Sequence, residues 1–132
     1  MPQVRAMCAI GRRGQLGLEG RLPWEGERGP EYAADVRRFW ALTLGHVLLV
    51  GPATHRSIPA DAYRERTIVL IRSGMNPAEV LARYPERVVY IGGGPPVWVA
   101  YARFIERWDI TRLPYDGEAD RWFDPAWLTG TG

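Results

Sequence analysis

One acidic side chain stands on the apolar face of an amphipathic segment. Asp35, Val36 and Phe39 occupy positions i, i+1 and i+4, and this spacing predicts a helix over Glu31–Leu44 that turns a carboxylate toward a core or a cleft. A carboxylate in such a place is unfavourable unless a donor satisfies it. Asp35 therefore either has a structural partner or binds a ligand. Glu31 lies one turn earlier on a similar heading and is a rival for the same role.

Two glycine-bearing junctions each follow a predicted strand and precede a predicted helix. They are residues 50–54, which contain Gly51, and residues 90–96, which contain three consecutive glycines. Glycine lets a backbone approach a phosphate closely, and the amides at a helix start favour an anion. Because the carboxyl ends of parallel strands share one sheet edge, the pair predicts a site for the pyrophosphate of a dinucleotide. Tight turns are the alternative, and the absence of G-x-G-x-x-G disfavours an ordinary Rossmann domain.

A third segment is the glycine-bracketed loop 16–24, which ends in Pro23 and Trp24. Such a loop is typical of a mobile cover whose apolar side chains exclude water from a site. An ordinary surface loop held by a buried tryptophan is the alternative.

The segments between these motifs alternate in type. Short runs rich in Val and Ile predict strands at Val4–Ile10, Val47–Val50, Thr67–Ile71, Val88–Ile91 and Trp108–Leu113. Helical segments are predicted at Glu31–Leu44, Thr54–Ile58, Pro77–Tyr84 and Pro96–Phe104. This alternation predicts an α/β fold, with one domain over residues 1–132 and a mainly parallel sheet flanked by helices.

The composition excludes several mechanisms. All 17 basic residues are arginine, so no lysine is present to form a Schiff base. Neither Ser57 nor Ser73 lies in a nucleophile-elbow motif, which disfavours a serine hydrolase. The lone Cys8 forms no internal disulfide, and with only two histidines no metal site is predicted. A reducing, cytoplasmic setting is expected.

The charge pattern predicts neither a nucleic acid nor a membrane as partner. The net charge is only +2, and the arginines are interspersed with acids instead of forming a stripe. No apolar run approaches the ~18 residues of a membrane-spanning helix.

Taken in order along the chain, these motifs resemble dihydrofolate reductase. The matching segments are Ala9-Ile10, Leu16-Gly17 through Leu22-Pro23-Trp24, Ala34-Asp35 with Phe39 and Thr43, Val50-Gly51 with Thr54 and Ser57-Ile58, Ile91 to Gly94, and Ile110-Thr111 followed by Asp120. The resemblance covers residues 4 to about 125. It implies reduction of dihydrofolate, with a hydride passing from NADPH to the pterin ring.

The resemblance also implies roles for single residues around the substrate. Asp35 corresponds to the pocket carboxylate that pairs with the 2-amino group and a ring nitrogen of the pterin, and Thr111 to its hydroxyl partner. Trp24 corresponds to the residue that holds an ordered water, and Leu22 to the part of the loop that reaches over the nicotinamide. The remaining implied substrate residues are Ala9, Ile10, Val36, Phe39 and Ile58, with Arg64 or Arg66 on the glutamate carboxylate.

An NADPH site is implied in the same way. Its residues would be Ala9, Leu16, Gly17, Gly51, Thr54, Arg56, Arg72, Ser73, Ile91, Gly92, Gly93, Gly94 and Val97. Pro52 stands where the family often has an arginine on the 2'-phosphate of the adenosine. Arg72 with Ser73 is the predicted replacement, because guanidinium and hydroxyl groups both bind phosphate.

The chain departs from the family pattern in two places. The segment between Trp24 and Asp35 is longer, which keeps Glu31 as a rival to Asp35. After Asp120 there is no room for the usual C-terminal strand pair, so a sheet with an exposed edge is predicted. Either docked tail aromatics (Trp122, Phe123 and Trp127) or a homodimer would cover it, so the chain is expected to be a monomer or a homodimer.

Two other functions compete with dihydrofolate reduction. One is the related reductase of pyrimidine or riboflavin biosynthesis, whose substrate does not call for Asp35, Trp24 and Thr111 together. The other is a non-catalytic protein that binds the cofactor, folate or a protein partner. Turnover separates that binder from both enzymes.

Overall fold

The computed structural model describes residues 2–27 and 29–129. The strands are β1 (Gln3–Ile10), β2 (Gln15–Gly17), β3 (Val47–Val50), β4 (Thr67–Leu70), β5 (Val88–Ile91), β6 (Arg107–Arg112) and β7 (Arg121–Trp122). The helices are α1 (Pro30–Thr43), α2 (Pro52–Arg56), α3 (Pro77–Ala82) and α4 (Pro95–Tyr101), with short 3-10 helices at Ala60–Arg64, Ala102–Phe104 and Pro125–Thr129. The described residues contain no helix long and apolar enough to span a membrane.

The centre of the fold is a five-stranded parallel sheet in the order β4-β3-β5-β1-β6. Both of its faces are covered, so the whole of β3 is buried and apolar. Leu48 and Val50 face a cluster that includes residues of α1, whereas Val47 and Leu49 face a cluster built with α3 and α4. The predicted α/β architecture is confirmed. The domain limits 1–132 stay a prediction, because residues 1, 28 and 130–132 lie outside the described part.

The start of α3 shows how the sequence sets a helix end. The Asn76 side chain accepts a hydrogen bond of 3.2 Å from the backbone amide of Glu79, and Pro77 occupies the first turn, where its missing amide is harmless. The helix therefore begins where the sequence predicts.

A second sheet, formed by β2 and β7, has no counterpart in the sequence prediction. The two strands run antiparallel, and the Asp120 amide donates to the Gly17 carbonyl at 2.8 Å while the Phe123 amide donates to the Gly14 carbonyl at 2.9 Å. Strands of two and three residues are too short to show alternation. This ribbon joins the start of the glycine-bracketed loop to the C-terminal segment.

β6 forms one edge of the parallel sheet. Trp127 is only 6% exposed, and its ring centroid lies 5.8 Å from that of Trp98, 6.3 Å from that of Trp108 and 5.0 Å from that of Phe123. Docking of the tail is therefore correct for Phe123 and Trp127. It is wrong for Trp122, which is 44% exposed and lies on the ribbon beneath the Arg13 guanidinium. A homodimer stays a prediction.

Candidate active site

The half-buried carboxylate of Asp35 lies between α1 and the end of β6. The Thr111 hydroxyl and the Arg38 guanidinium both lie near it. Burial raises the pKa of Asp35 above its ordinary value, while the nearby Thr111 hydroxyl and the Arg38 charge offset part of that rise. Glu31, by contrast, is exposed in the first turn of α1. The structure thus brings together Asp35 and Thr111, and leaves Glu31 outside.

Sequence reasoning missed two residues of this cluster, Arg38 and Asp109. Arg38 Nη2 donates to Asp109 Oδ1 at 2.7 Å, and Arg38 Nη1 donates to Thr111 Oγ1 at 3.3 Å. Asp109 is 8% exposed and stands two positions before Thr111 on β6, so both side chains share one face of the sheet. The signals that could have found them are this period of two and the i, i+3 spacing of Asp35 and Arg38.

The end of β1 forms the floor beside this cluster. Ala9 pairs with Thr111, and Ile10 pairs with Arg112. Burial, with a smaller contribution from the nearby Asp35, raises the pKa of the Cys8 thiol to about 12. The thiol is therefore neutral at physiological pH and is a poor nucleophile.

The apolar side chains expected around the substrate differ in burial. Phe39 and Ile58 pack at the margin of the cluster on the α1 side of the sheet. Val36 and Leu22 are each 52% exposed.

The loop that follows β2 is held at both ends. Trp24 is 6% exposed, with its ring centroid 6.4 Å from Tyr32 and 5.9 Å from Tyr115. At the other end, the Glu19 amide donates to Asp120 Oδ2 at 2.9 Å. The exposed Leu22 lies between these two attachments, so the position of the loop depends on the segment before β7.

The two glycine junctions adjoin each other, as predicted. β3 and β5 are neighbours, and the Gly51 amide donates to the Gly93 carbonyl at 2.8 Å. Gly93 has a φ of +112°, which requires glycine, and an added Cβ would lie 3.2 Å from the Trp98 ring. A Cβ added at Gly94 would meet nothing within 4 Å. This face of the junction therefore leaves room for a ligand group close to the backbone.

The helix starts at these junctions differ in the amides they offer. In α2, the amides of Ala53 and Thr54 precede the first intrahelical bond, from His55 N to Gly51 O at 2.9 Å. In α4, Pro95 and Pro96 carry no amide, and the first amide, that of Val97, donates to the Gly94 carbonyl at 2.9 Å. The expectation of free helix-start amides is therefore correct for α2 and wrong for α4, where the nearest backbone donors belong to the glycines.

Several residues expected at the cofactor are committed to the core. Leu16, Ile91 and Val97 are all buried in the cluster on the α4 side of the sheet. The Ile91 carbonyl accepts a hydrogen bond of 3.1 Å from Trp98 Nε1, and Gly17 belongs to the β2–β7 ribbon. These residues can therefore contact a ligand mainly through their backbone atoms.

Exposed cations lie near the first junction. The pairing of Val50 with Leu70, continued by Ile71 N to Val50 O at 2.7 Å, brings the segment after β4 beside Gly51. Arg72 and Ser73 follow directly and are exposed, as is Arg56 in the last turn of α2.

The two arginines expected at a substrate carboxylate differ in availability. Arg66 donates to Trp40 O at 2.6 Å, Ala62 O at 3.1 Å and Thr43 Oγ1 at 2.9 Å, and its guanidinium lies 4.8 Å from the Trp40 ring centroid. It therefore fastens α1 to the 3-10 helix that ends at Arg64. Arg64 itself is exposed.

Comparison with known proteins assigns the fold to a family. A sequence model described as dihydrofolate reductase matches residues 3–128. This chain belongs to the dihydrofolate reductase family. The resemblance inferred from the motifs is thereby confirmed, and the chain is an oxidoreductase of a family that uses a nicotinamide cofactor and a pterin substrate.

Individual members of the dihydrofolate reductase family differ widely in similarity. The chain is 61% identical over 130 residues to dihydromethanopterin reductase of Methylorubrum extorquens, an alignment that covers 98% of this chain and 96% of the relative. It is 25% identical to dihydrofolate reductase type 8 of Escherichia coli, over 96% of this chain and 83% of the relative. The structure of dihydrofolate reductase from Enterococcus faecalis complexed with NADP(H) superposes with a TM-score of 0.69 at 25% identity, covering 92% of this chain and 77% of that one.

The glycine junctions fit the phosphate part of a nicotinamide cofactor. Gly94 borders open space, α2 presents amides together with the Thr54 hydroxyl, and Arg72 adds positive charge near the same junction. These groups suit a pyrophosphate.

Proposed function

We propose that this chain reduces the dihydropterin ring of dihydromethanopterin, with NADPH as the hydride donor. The observation that carries the proposal is the 61% identity to a dihydromethanopterin reductase over 98% of the chain, against 25% for dihydrofolate reductase type 8. The substrate implied by the motifs alone was dihydrofolate. Both names denote reduced pterins, so motifs that bind the pterin ring do not separate the two substrates.

The ring is assigned to the cluster around Asp35. An ionised carboxylate offers two acceptor oxygens to the 2-amino group and the adjacent ring nitrogen of the pterin. The nearby Thr111 hydroxyl favours the ionised form of the same carboxylate. Phe39 and Ile58 border the apolar faces of the ring, and Trp24 closes the side nearest the loop.

The chemistry divides between the cofactor and the chain. When bound, the nicotinamide supplies a hydride to the pterin. The chain orients the ring through Asp35 and uses the loop that carries Leu22 to exclude bulk water. A proton must also reach the pterin nitrogen next to the reduced carbon, and the neutral Cys8 thiol is too weak an acid to provide it readily. Water is therefore the proposed proton source.

The arginines near the 3-10 helix support a substrate without a glutamate tail. Dihydrofolate ends in a glutamate whose carboxylate the family holds with an arginine. The three polar contacts of Arg66 are all within the fold, and Arg64 is exposed to solvent. Arg66 is thus committed to the fold, and a glutamate carboxylate would have only the exposed Arg64 to bind it.

The substrate assignment is tested by the loss of absorbance at 340 nm with NADPH and each candidate substrate in turn. We expect kcat/KM for dihydromethanopterin to exceed that for dihydrofolate by at least about tenfold, equivalent to about 1.4 kcal/mol of transition-state discrimination. A preference for dihydrofolate would reverse the assignment, and that second candidate is favoured by the family match. Turnover of only the pyrimidine substrate of riboflavin synthesis would support the related reductase. No turnover of any of them would identify a binding protein.

The choice of NADPH over NADH is assigned to Arg72. Only NADPH carries the 2'-phosphate, so Arg72→Ala should weaken its binding by roughly 5- to 100-fold, the range for a charge-assisted hydrogen bond of about 1–3 kcal/mol. NADH binding should change less than about twofold. Dissociation constants from cofactor fluorescence provide the measurement, with Arg56→Ala as the comparison variant. Equal losses for both cofactors would assign Arg72 to the fold and transfer the phosphate contact to Arg56.

A further inference from the structure

A chain of polar contacts leads from Asp109, a buried residue in the middle of β6, toward the carboxylate of Asp35. Asp109, with its side chain only 9% exposed, accepts a 2.7 Å bond from Arg38 Nη2. The same guanidinium donates from Nη1 to Thr111 Oγ1 at 3.3 Å, and the Thr111 hydroxyl lies near the Asp35 carboxylate, whose pKa it lowers. Asp109, Arg38 and Thr111 are therefore joined before any substrate arrives.

The donor and acceptor capacities of these groups fix the direction of each bond. A guanidinium only donates, so Thr111 Oγ1 must accept from Arg38. The threonine hydroxyl has a single hydrogen, and an ionised carboxylate only accepts. The hydrogen of Thr111 is therefore available to Asp35 and is directed there when Arg38 occupies the other side of the oxygen.

Arg38 is held by a 2.7 Å contact with Asp109, although its side chain is 44% exposed. A buried carboxylate requires charged or hydrogen-bonding partners, and Asp109 has Arg38 on Oδ1 and Arg107 at 3.8 Å from Oδ2. The bond to Asp109 thus restrains the guanidinium of Arg38 beside Thr111, although about half of the Arg38 side chain faces solvent.

We propose that Arg38, anchored by Asp109, is a positioning residue that holds the Thr111 hydroxyl and places a positive charge beside Asp35, the carboxylate assigned to the pterin. The proposal rests on the proposed function, because the pterin ring is the group that Asp35 is assigned to bind. Arg38 acts through Thr111 and through its charge.

The charges that face Asp35 set the sign of the expected effect. They are Arg38 from α1 and the thiol of Cys8 from β1, with Arg112 from β6 close to that thiol. The thiol is neutral below its pKa of about 12, so it contributes no charge at physiological pH. Arg38 is then the cation that lowers the pKa of Asp35 directly, and its removal should raise that pKa.

The test compares wild type, Arg38→Met, Arg38→Lys and the control Arg37→Met, an exposed neighbour on the same helix. The pKa of Asp35 is followed by 13C NMR of aspartate-labelled protein, with the Asp35 signal assigned by its absence from Asp35→Asn. In Arg38→Met the titration should shift upward by roughly 0.5–1 unit, at or below the low end of the range for adjacent opposite charges because Arg38 is half exposed. Arg38→Lys keeps the positive charge, so its Asp35 titration should lie close to that of wild type. Arg37→Met should show no shift.

Activity gives a second, separate readout. The acidic limb of the kcat/KM profile should move upward with the NMR titration in Arg38→Met, and kcat/KM at neutral pH should fall roughly 5- to 20-fold, as expected for the loss of one charge-assisted contact. Asp109→Asn frees Arg38 without removing it. This variant should shift the Asp35 titration and the acidic limb of the kcat/KM profile in the same direction, but by less.

The two proposals fail in different ways. An unshifted Asp35 titration in Arg38→Met overturns the positioning role, even when activity falls, because a loss without a pH shift is what general disruption produces. A shifted titration in a protein that reduces no dihydropterin upholds the control of Asp35 by Arg38 and rejects the proposed function.

Discussion

Asp35→Asn should fold, bind NADPH and lose dihydropterin turnover at neutral pH by roughly a hundredfold or more. The amide is nearly isosteric, but it has no charge and presents a donor where the pterin presents one as well. Loss of a charge-assisted pair amounts to about 3 kcal/mol, which is about a factor of 100 in kcat/KM. Steady-state kinetics at saturating NADPH measure the loss.

The matched control for that variant is Glu31→Gln, which changes an exposed carboxylate in the first turn of α1. It should leave kcat/KM almost unchanged. Turnover by Asp35→Asn within twofold of the parent would contradict the assignment, and a large loss in Glu31→Gln would transfer the role to that residue.

Asp35→Asn is also expected to stabilise the fold at neutral pH. Burial raises the pKa of Asp35 above its ordinary 3.8, so the native state holds this proton more tightly than the unfolded state. Stability from this group is therefore complete below about pH 3.8 and falls as pH rises through the native pKa. Asp35→Asn should raise the Tm at pH 7 by roughly 1–4 °C, a small shift because the carboxyl is half exposed, and should not raise it near pH 3.

Trp127→Ala should lower the Tm by roughly 10 °C. Trp127 is buried against Trp98, Trp108 and Phe123, and removing a buried aromatic ring costs about 3 kcal/mol or more. That is a large share of a typical stability of about 5–15 kcal/mol. Thermal unfolding followed by circular dichroism measures it, and light scattering reports any change of mass in solution.

Trp122→Ala is the internal comparison for the tail. This ring is 44% exposed and contacts the Arg13 guanidinium, an interaction of about 1 kcal/mol or less. Its Tm should change by only a few degrees. Equal Tm values for parent and Trp127→Ala would show that the aromatic cluster does not stabilise the fold.

The sequence predicts this sheet well because both faces of each central strand are covered. Burial on two sides leaves continuous runs such as Val47–Val50, which stand out against polar surroundings. Asp35 is detectable for a related reason, since helical periodicity shows a charge on an apolar face. Both signals are local in the chain.

The features that the sequence does not predict depend on contacts between segments that are far apart in the chain. Arg38 and Asp109 are 71 positions apart. Each shares a face with a predicted site residue, but neither segment indicates that α1 lies over β6 at the register that pairs the two. The β2–β7 ribbon is missed because strands this short have no measurable period. The lack of amides at Pro95 and Pro96 was, in contrast, open to prediction, since proline carries no N–H wherever it stands.

The β2–β7 ribbon also bears on the order in which the molecule folds. Its contacts join positions about a hundred residues apart, such as the Glu19 amide and Asp120 Oδ2 with a separation of 101. Closing so long a loop loses chain entropy that a few hydrogen bonds recover poorly, unless the parallel sheet has already brought the ends together. We therefore expect the ribbon to form after the sheet and to open before the sheet does. The loop that carries Leu22 is attached to this ribbon, so we expect that loop to leave the native state early and to regain it late.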